Sequence, residues 1–226
     1  MWTETIQRWQ SKDGAESYEA ERFHGIVGRV FHRAQCRTLR RIARLISAGT
    51  RVLDVPCGTG RMHPVLRDRG LRIVGRDVSE AMLRKAAQRS PGNGDTCLVI
   101  GDATQLPFED CSLDGIFSIR FFMHLTSQER ETILREFARI SRHLIVVEYG
   151  CDSAWHKWRR AVRKVVMRLL GRRRIYPVSA PAEQIHREAR AAGLRICGWR
   201  WTLRGLSESV FVVMEKKDSR EATVDA

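Results

Sequence analysis

Apolar positions recur along this chain with two different periods. Short runs rich in branched side chains alternate with stretches whose apolar residues fall at helical spacing. The runs predict strands at Arg51–Val55, Leu71–Gly75, Cys97–Ile100, Leu113–Ile119 and Leu144–Val147, with two more near Leu194–Trp201 and Ser209–Glu215. Gly115 lies inside the fourth. The helical spacing predicts helices near Arg61–Arg69, from Ser79 to about Gln88, from Ser127 to about Ile140, and near Ala182–Ala192. Ser79 and Ser127 are suitable N-caps, although Arg130 stands where a capping box would have Glu. Ile133, Leu134, Phe137 and Ile140 form an apolar face on the third of these helices, and Gly193 ends the last. Ahead of the first strand, residues 16–48 read as two helices, the second Arg-rich. No internal repeat is visible. Strands alternating with helices predict an α/β fold: a mostly parallel sheet with helices on both faces. Ligands of such sheets bind outside the carboxyl ends of the strands. The residues just after each strand are therefore where chemistry is expected.

After the first strand comes Asp54-Val55-Pro56-Cys57-Gly58-Thr59-Gly60. Glycines here let the backbone approach a ligand, and the following helix offers its N-terminus. A nicotinamide fingerprint would need a third glycine, but His63 stands there. Asp54 would also repel a pyrophosphate and suits a cation such as an amino acid's ammonium group. After the second strand comes Gly75-Arg76-Asp77-Val78-Ser79, with Asp77 placed to grip ribose hydroxyls. After the third, Asp102 can accept a hydrogen bond from an adenine amino group. After the fourth, Ser118 to Leu125 can lay backbone and apolar side chains beside a ligand.

Together these residues resemble the class I S-adenosylmethionine-dependent methyltransferases. They are most similar to the small-molecule group that includes the ubiquinone and menaquinone methyltransferases. VLDVPCGTGR (52–61) is similar to the glycine-rich first motif, VGRDVSEAML (74–83) to the second, GDATQLPF (101–108) to the third and SLDGIFSIRFFMHL (112–125) to the fourth. The resemblance implies a Rossmann-like, mostly parallel seven-stranded sheet and S-adenosyl-L-methionine as cofactor. It implies that Asp54 faces the methionine ammonium and that Gly58 and Gly60 let the methionine part pack on the backbone. Asp77 would bind the ribose hydroxyls, Val78 the adenine face and Asp102 the adenine amino group. Ala103 would lie beside the ring, and Ile119 and Arg120 would line the methionine side. Pro56 departs from the pattern, standing where the family usually has its first glycine; it removes a backbone donor.

A methyl group on a sulfonium is already activated, so the enzyme's main task is in-line placement of a nucleophile and exclusion of water. A base is needed only where the acceptor must lose a proton. His124, after the fourth strand, and Glu148, at the end of the fifth, are the candidate bases. A packing histidine is the plainer reading of His124. No metal is implied.

Composition adds information about partners. The chain has 226 residues, 43% hydrophobic and 29% charged, the balance of a globular protein. No stretch approaches the roughly 18 apolar residues of a membrane span. Met1 to Gln10 lacks the apolar core of a signal sequence, so the cytoplasm is the expected compartment. Six cysteines without a C-x-x-C pair predict reduced, mostly buried thiols. Net charge is +14, and 34 of the 40 basic residues are Arg. Residues 155–174 hold nine Lys/Arg and no acid, with Trp155, Trp158, Val162, Val165, Val166 and Leu169 at helical spacing. This basic amphipathic helix, within an insertion at 151–176, is either a lid on the core or a surface for anionic lipid. The Arg-rich helix before the first strand carries Arg29, Arg33, Arg37, Arg40, Arg41 and Arg44, with Val30, Phe31, Ala34, Leu39 and Ile42 as its apolar side.

The expected organisation is an N-terminal helical cap (1–48), a core (49–217) carrying the basic insertion, and a polar tail (218–226). The expected function is methyl transfer to a small-molecule or lipid-like, anionic acceptor, with contact to an anionic membrane surface. Two alternatives stand beside it. One is an RNA methyltransferase, which the charge permits. The Ser118-Ile119-Arg120-Phe121 run, unlike the Asp/Asn-Pro-Pro-aromatic run of amino-methylating nucleic-acid enzymes, disfavours it. The other is a regulatory protein that binds the cofactor without turnover.

Overall fold

The computed structural model describes residues 25–90, 94–151 and 179–216. Helix α1 (Ile26–Ala43) precedes β1 (Arg51–Asp54), α2 (His63–Arg67), β2 (Arg72–Asp77), α3 (Glu80–Arg89) and β3 (Thr96–Ile100). Then come β4 (Leu113–Ser118), a 3-10 turn at Phe122–His124, α4 (Ser127–Ile140), β5 (Ser141–Gly150), α5 (Ala182–Ala191), β6 (Leu194–Trp201) and β7 (Ser209–Lys216). The seven strands form one sheet in the order β3-β2-β1-β4-β5-β7-β6. β1 to β5 are parallel, while β7 runs antiparallel to both β5 and β6. The order reverses at β1, between β2 and β4, so a crevice opens beyond the carboxyl ends of these strands.

Side chains alternate across the sheet and feed two apolar layers. Leu53, Ile116, Ile145, Val147, Val210, Val212 and Met214 face one layer, which α4 and α5 complete with Ile133, Leu134, Phe137, Ile140, Ile185 and Ala189. Val52, Phe117, Leu144, Val146, Phe211 and Val213 face the other, covered by Leu39, Ile42 and Ala43 of α1 and by Val65 and Leu66 of α2. Each fully buried residue of this kind stabilises the fold by about 1.5–3 kcal/mol. Gly115 lets Ile46 pack closely: a Cβ there would lie 2.7 Å from Ile46 Cδ1, and that side chain would have to shift.

Some local expectations shift. The N-cap of α4 is Thr126, not Ser127. One residue earlier in register, Glu129 occupies the capping-box position, and its carboxylate accepts from Thr126 N at 2.7 Å. Arg130 is thereby freed to turn inward, where Glu188 of α5 accepts from it at 2.7 and 2.9 Å. On α1 burial sets in after the first two turns: Ala34, Gln35, Thr38, Leu39, Ile42 and Ala43 are buried, but Val30 is 48% exposed. Cys97, Cys111 and Cys197 are exposed, so the thiols are free but not mostly buried. The first N-terminal helix, the basic helix at 155–174 and the tail from 218 lie outside the described residues. Among the described residues no helix is long and apolar enough to cross a membrane.

Candidate active site

The cleft beyond β1, β2, β3 and β4 encloses about 960 Å³ counting its open mouth. Its floor begins where β1 ends. Asp54 is 2% exposed, and the chain then turns through Gly58 (φ 54°) and Gly60 (φ 68°), a left-handed backbone that favours glycine. Gly58 N donates to Asp77 Oδ2 at 2.8 Å, and Ser79 N donates to Asp77 Oδ1 at 2.9 Å. The end of β2 is thus tied to the turn after β1 through one carboxylate. Each Asp77 oxygen takes one of these N–H groups, and the Val78 backbone N–H adds a further favourable contact to the carboxylate. Burial pushes the Asp77 carboxyl up to about 6, the Ser79 and Gly58 N–H groups oppose this, and the nearby Asp54 charge adds to it.

Of the residues expected to hold a cofactor, Asp54, Pro56, Gly58, Asp77, Val78, Ala103, Ile119 and Arg120 line this cleft, and so does His124. Gly60 and Asp102 do not. Gly60 packs toward α3, where a Cβ would lie 3.0 Å from Ala86 Cβ. Asp102 Oδ1 accepts from Thr104 N at 2.8 Å, and its carbonyl accepts from Arg76 Nε at 3.1 Å, while Gly101 and Ala103 on either side line the wall.

Glu148 is also off the wall, contrary to its reading as a base facing the pocket. It is fully buried, and Oε1 accepts from Gln35 Nε2 at 2.8 Å and from Ser209 Oγ. Its Oε2 accepts from Arg120 N at 3.1 Å. Tyr149 points into the core, with its hydroxyl 3.3 Å from Glu188 Oε2. The cause is β7, which pairs with β5 over Glu148↔Phe211 and Tyr149↔Val210 and brings Ser209 against the carboxylate. Arg120, held by that carboxylate, is left-handed (φ 64°), and its guanidinium carbon lies 5.7 Å from the Phe31 ring centroid.

Three other residues belong to the site. His63, read from spacing only as a failed glycine position, is buried with Nε2 3.2 Å from Asp54 Oδ2 and Nδ1 3.3 Å from Ser90 Oγ. No local pattern signals that pairing, because it depends on how α2 lies on β1. Arg76 braces the loop after β3 from below. Arg61 lines the cleft beside α1, where burial and then the charges of Arg61 and Arg89 hold His32 below the usual imidazole range. Among the described residues no group of three His, Cys, Asp or Glu side chains could hold a metal ion.

Residues 53–143 match the family model described as a methyltransferase domain. The matched stretch contains every residue on the cleft wall. The chain is 31% identical over 153 residues to the demethylmenaquinone methyltransferase of Paenarthrobacter aurescens, covering 65% of this chain and 58% of the relative. It is 35% identical over 101 residues to the O-methyltransferase resE of Aspergillus sclerotiorum, covering 42% and 37%. The chain thus spans well under two thirds of the length of these relatives. Among solved structures it resembles the magnesium protoporphyrin IX methyltransferase of Synechocystis with bound SAH. The TM-score is 0.77 at 13% identity, covering 96% of this chain and 100% of that one. The fold is accordingly Rossmann-like and matches that of this methyltransferase structure.

Proposed function

We propose that this protein transfers a methyl group from S-adenosylmethionine to a small-molecule acceptor that is anionic and lipid-like. The observation that carries the reading is the Asp77 carboxylate, fixed by Gly58 N and Ser79 N at the switch point of the sheet and lining the cleft. That arrangement fits a pair of ribose hydroxyls. Asp54 supplies a buried negative charge for an ammonium group. Gly58 leaves its surroundings open, with nothing within 4 Å of where a Cβ would stand. Val78 and Ala103 offer apolar contact to the adenine, and Ile119 and Arg120 border the methionine end. Gly60 shapes the turn from behind, and Asp102 braces the loop that presents Ala103. When bound, the cofactor supplies a methyl group on a positively charged sulfur, ready for direct attack.

The protein's own work is orientation and exclusion of water. Phe121, Met62 and Met82 give the cleft an apolar wall. His124 is the group placed to take a proton from an acceptor that must lose one. Glu148 does not serve there, since its oxygens hold Gln35, Ser209 and the Arg120 backbone. The acceptor class rests on charge: +14 overall, Arg61 and Arg120 on the wall, and an arginine-rich α1 alongside. The same charge supports work on the inner face of an anionic membrane from the cytoplasm.

The test supplies methyl-labelled S-adenosylmethionine and the protein with organic-soluble and aqueous fractions of a cell extract. Release of S-adenosylhomocysteine with label in an anionic organic-soluble product is expected. Cofactor binding without release in any fraction would replace the enzyme reading with a regulatory one. Label in tRNA would replace the acceptor.

A further inference from the structure

Arg120 holds a backbone conformation that glycine would hold more easily. Among the described residues only two non-glycine residues have φ in the left-handed region, Cys111 and Arg120, and only Arg120 lines the cleft. Such strain persists where surrounding structure over-determines it, and it concentrates at functional positions. Here the constraint is Glu148, whose Oε2 accepts from Arg120 N. Among the described residues Glu148 forms no ion pair with the Arg120 guanidinium. Its carboxylate instead takes the Arg120 backbone N–H, the Gln35 amide and the Ser209 hydroxyl.

The guanidinium is therefore without an ion pair among the described residues, and its Nε is sealed from solvent with no hydrogen-bond partner among them. Phe31 of α1 gives it an aromatic contact, 5.7 Å to the ring centroid, but no acceptor. A guanidinium donor removed from water and left without an acceptor costs free energy that an incoming anion recovers. Across the cleft the sign reverses, with Asp54 and Asp77 both buried on the β1–β2 side. The cleft thus has an acidic pole and a basic pole. The planar fork of an arginine matches a carboxylate through two parallel hydrogen bonds.

We propose that the Arg120 guanidinium is the receptor for a carboxylate bound in the cleft. Two molecules can bring one: the cofactor, through its amino-acid end, or the acceptor. Only the first source rests on the cofactor reading above.

The experiment is calorimetry on the full chain, wild type against Arg120→Gln. Arg120→Asn is measured in parallel, because Asn adopts the left-handed backbone more readily. Two pairs of probes are used, each a carboxylate and a counterpart without it. The first pair is S-adenosylhomocysteine and 5′-methylthioadenosine; the second is naphthalene-1-carboxylate and its amide. If the carboxylate is the cofactor's, both variants weaken S-adenosylhomocysteine about tenfold or more and leave methylthioadenosine within about twofold. If it is the acceptor's, both nucleosides are unmoved and naphthoate loses about tenfold while its amide does not. Equal losses within each pair, or no selective loss in either pair, would overturn the proposal. A folded wild type that binds neither nucleoside would instead overturn the cofactor reading, and the naphthoate pair would still decide Arg120.

Discussion

The two sides of the cleft are built differently. On the β1–β2 side, Asp77 is held by Gly58 N and Ser79 N, groups from its own strand end and from the neighbouring turn. On the β4 side, Arg120 is held by Glu148 of β5, which is held in turn by Gln35 of α1 and Ser209 of β7. The first side is a product of two adjacent strand–turn units. The second forms only when the helical cap and the antiparallel end of the sheet are already in place. A shared cofactor grip can therefore sit on the first side, while the second is open to change with α1 and β7. That is the arrangement expected where the nucleotide is common to a family and the acceptor is not.

The sharpest way to break this division is His124→Ala. Turnover should fall about a hundredfold, the usual scale for losing a proton acceptor, with S-adenosylhomocysteine affinity unchanged in calorimetry. Affinity falling in step with rate would place His124 on the cofactor side instead.

A double-mutant cycle tests the β4 side. Glu148→Ala should weaken whichever carboxylate probe Arg120 selects, S-adenosylhomocysteine or naphthoate, about tenfold by releasing the Arg120 backbone, a charged hydrogen bond of about 1.5–3 kcal/mol. In an Arg120→Gly background, where the left-handed backbone needs no support, the same change should have little effect. Equal losses in both backgrounds would reduce Glu148 to a general packing role.

The β1–β2 side should carry the pH dependence. Burial raises Asp77 to about 6, so the native state holds its proton more tightly than the unfolded chain does. The stability this gives is present at pH below the unfolded value and is lost as pH rises through about 6. The proposed recognition of ribose by Asp77 runs the other way, because the ionised oxygens accept hydroxyls better. S-adenosylhomocysteine affinity should climb by up to about tenfold per pH unit below about 6 and level off above it. A profile that Asp77→Asn leaves unchanged would assign the dependence elsewhere.

The smallest effects separate the two glycines of the turn. Gly60→Ala forces a Cβ to 3.0 Å from Ala86 at φ 68°, and Gly58→Ala meets nothing within 4 Å at φ 54°. Thermal melting should show Gly60→Ala costing about 1–2 kcal/mol and Gly58→Ala about 1 kcal/mol, while only Gly58→Ala reduces ligand affinity.

This division also explains what could be read from sequence. The strands and their order of appearance follow from short-range spacing and are found in the structure; Asp54, Gly58 and Asp77, read from the strand ends, and Val78 and Ala103, named only through the resemblance, all line the cleft. Glu148 was legible only as a carboxylate at a strand end. Its use as a buried support depends on Gln35 and Ser209, far away in sequence, and no periodicity reports such pairing. The cap of α4 slipped by one residue because Ser127 and Thr126 are both good caps, and only the contact with Glu129 decides between them. His63 was hidden for the same reason as Glu148: its contact with Asp54 belongs to the packing of α2 on β1.

The most direct measurement is calorimetric titration of S-adenosylhomocysteine into wild type and Asp77→Ala. The Asp77 carboxylate is assigned two hydroxyl contacts, each a charge-assisted bond of about 1.5–3 kcal/mol. Wild type should bind in the micromolar range, and the variant, still folded, should lose about a hundredfold or more. Equal affinity in the two proteins, or no binding to folded wild type, would contradict the assignment of this cleft to the methyl donor.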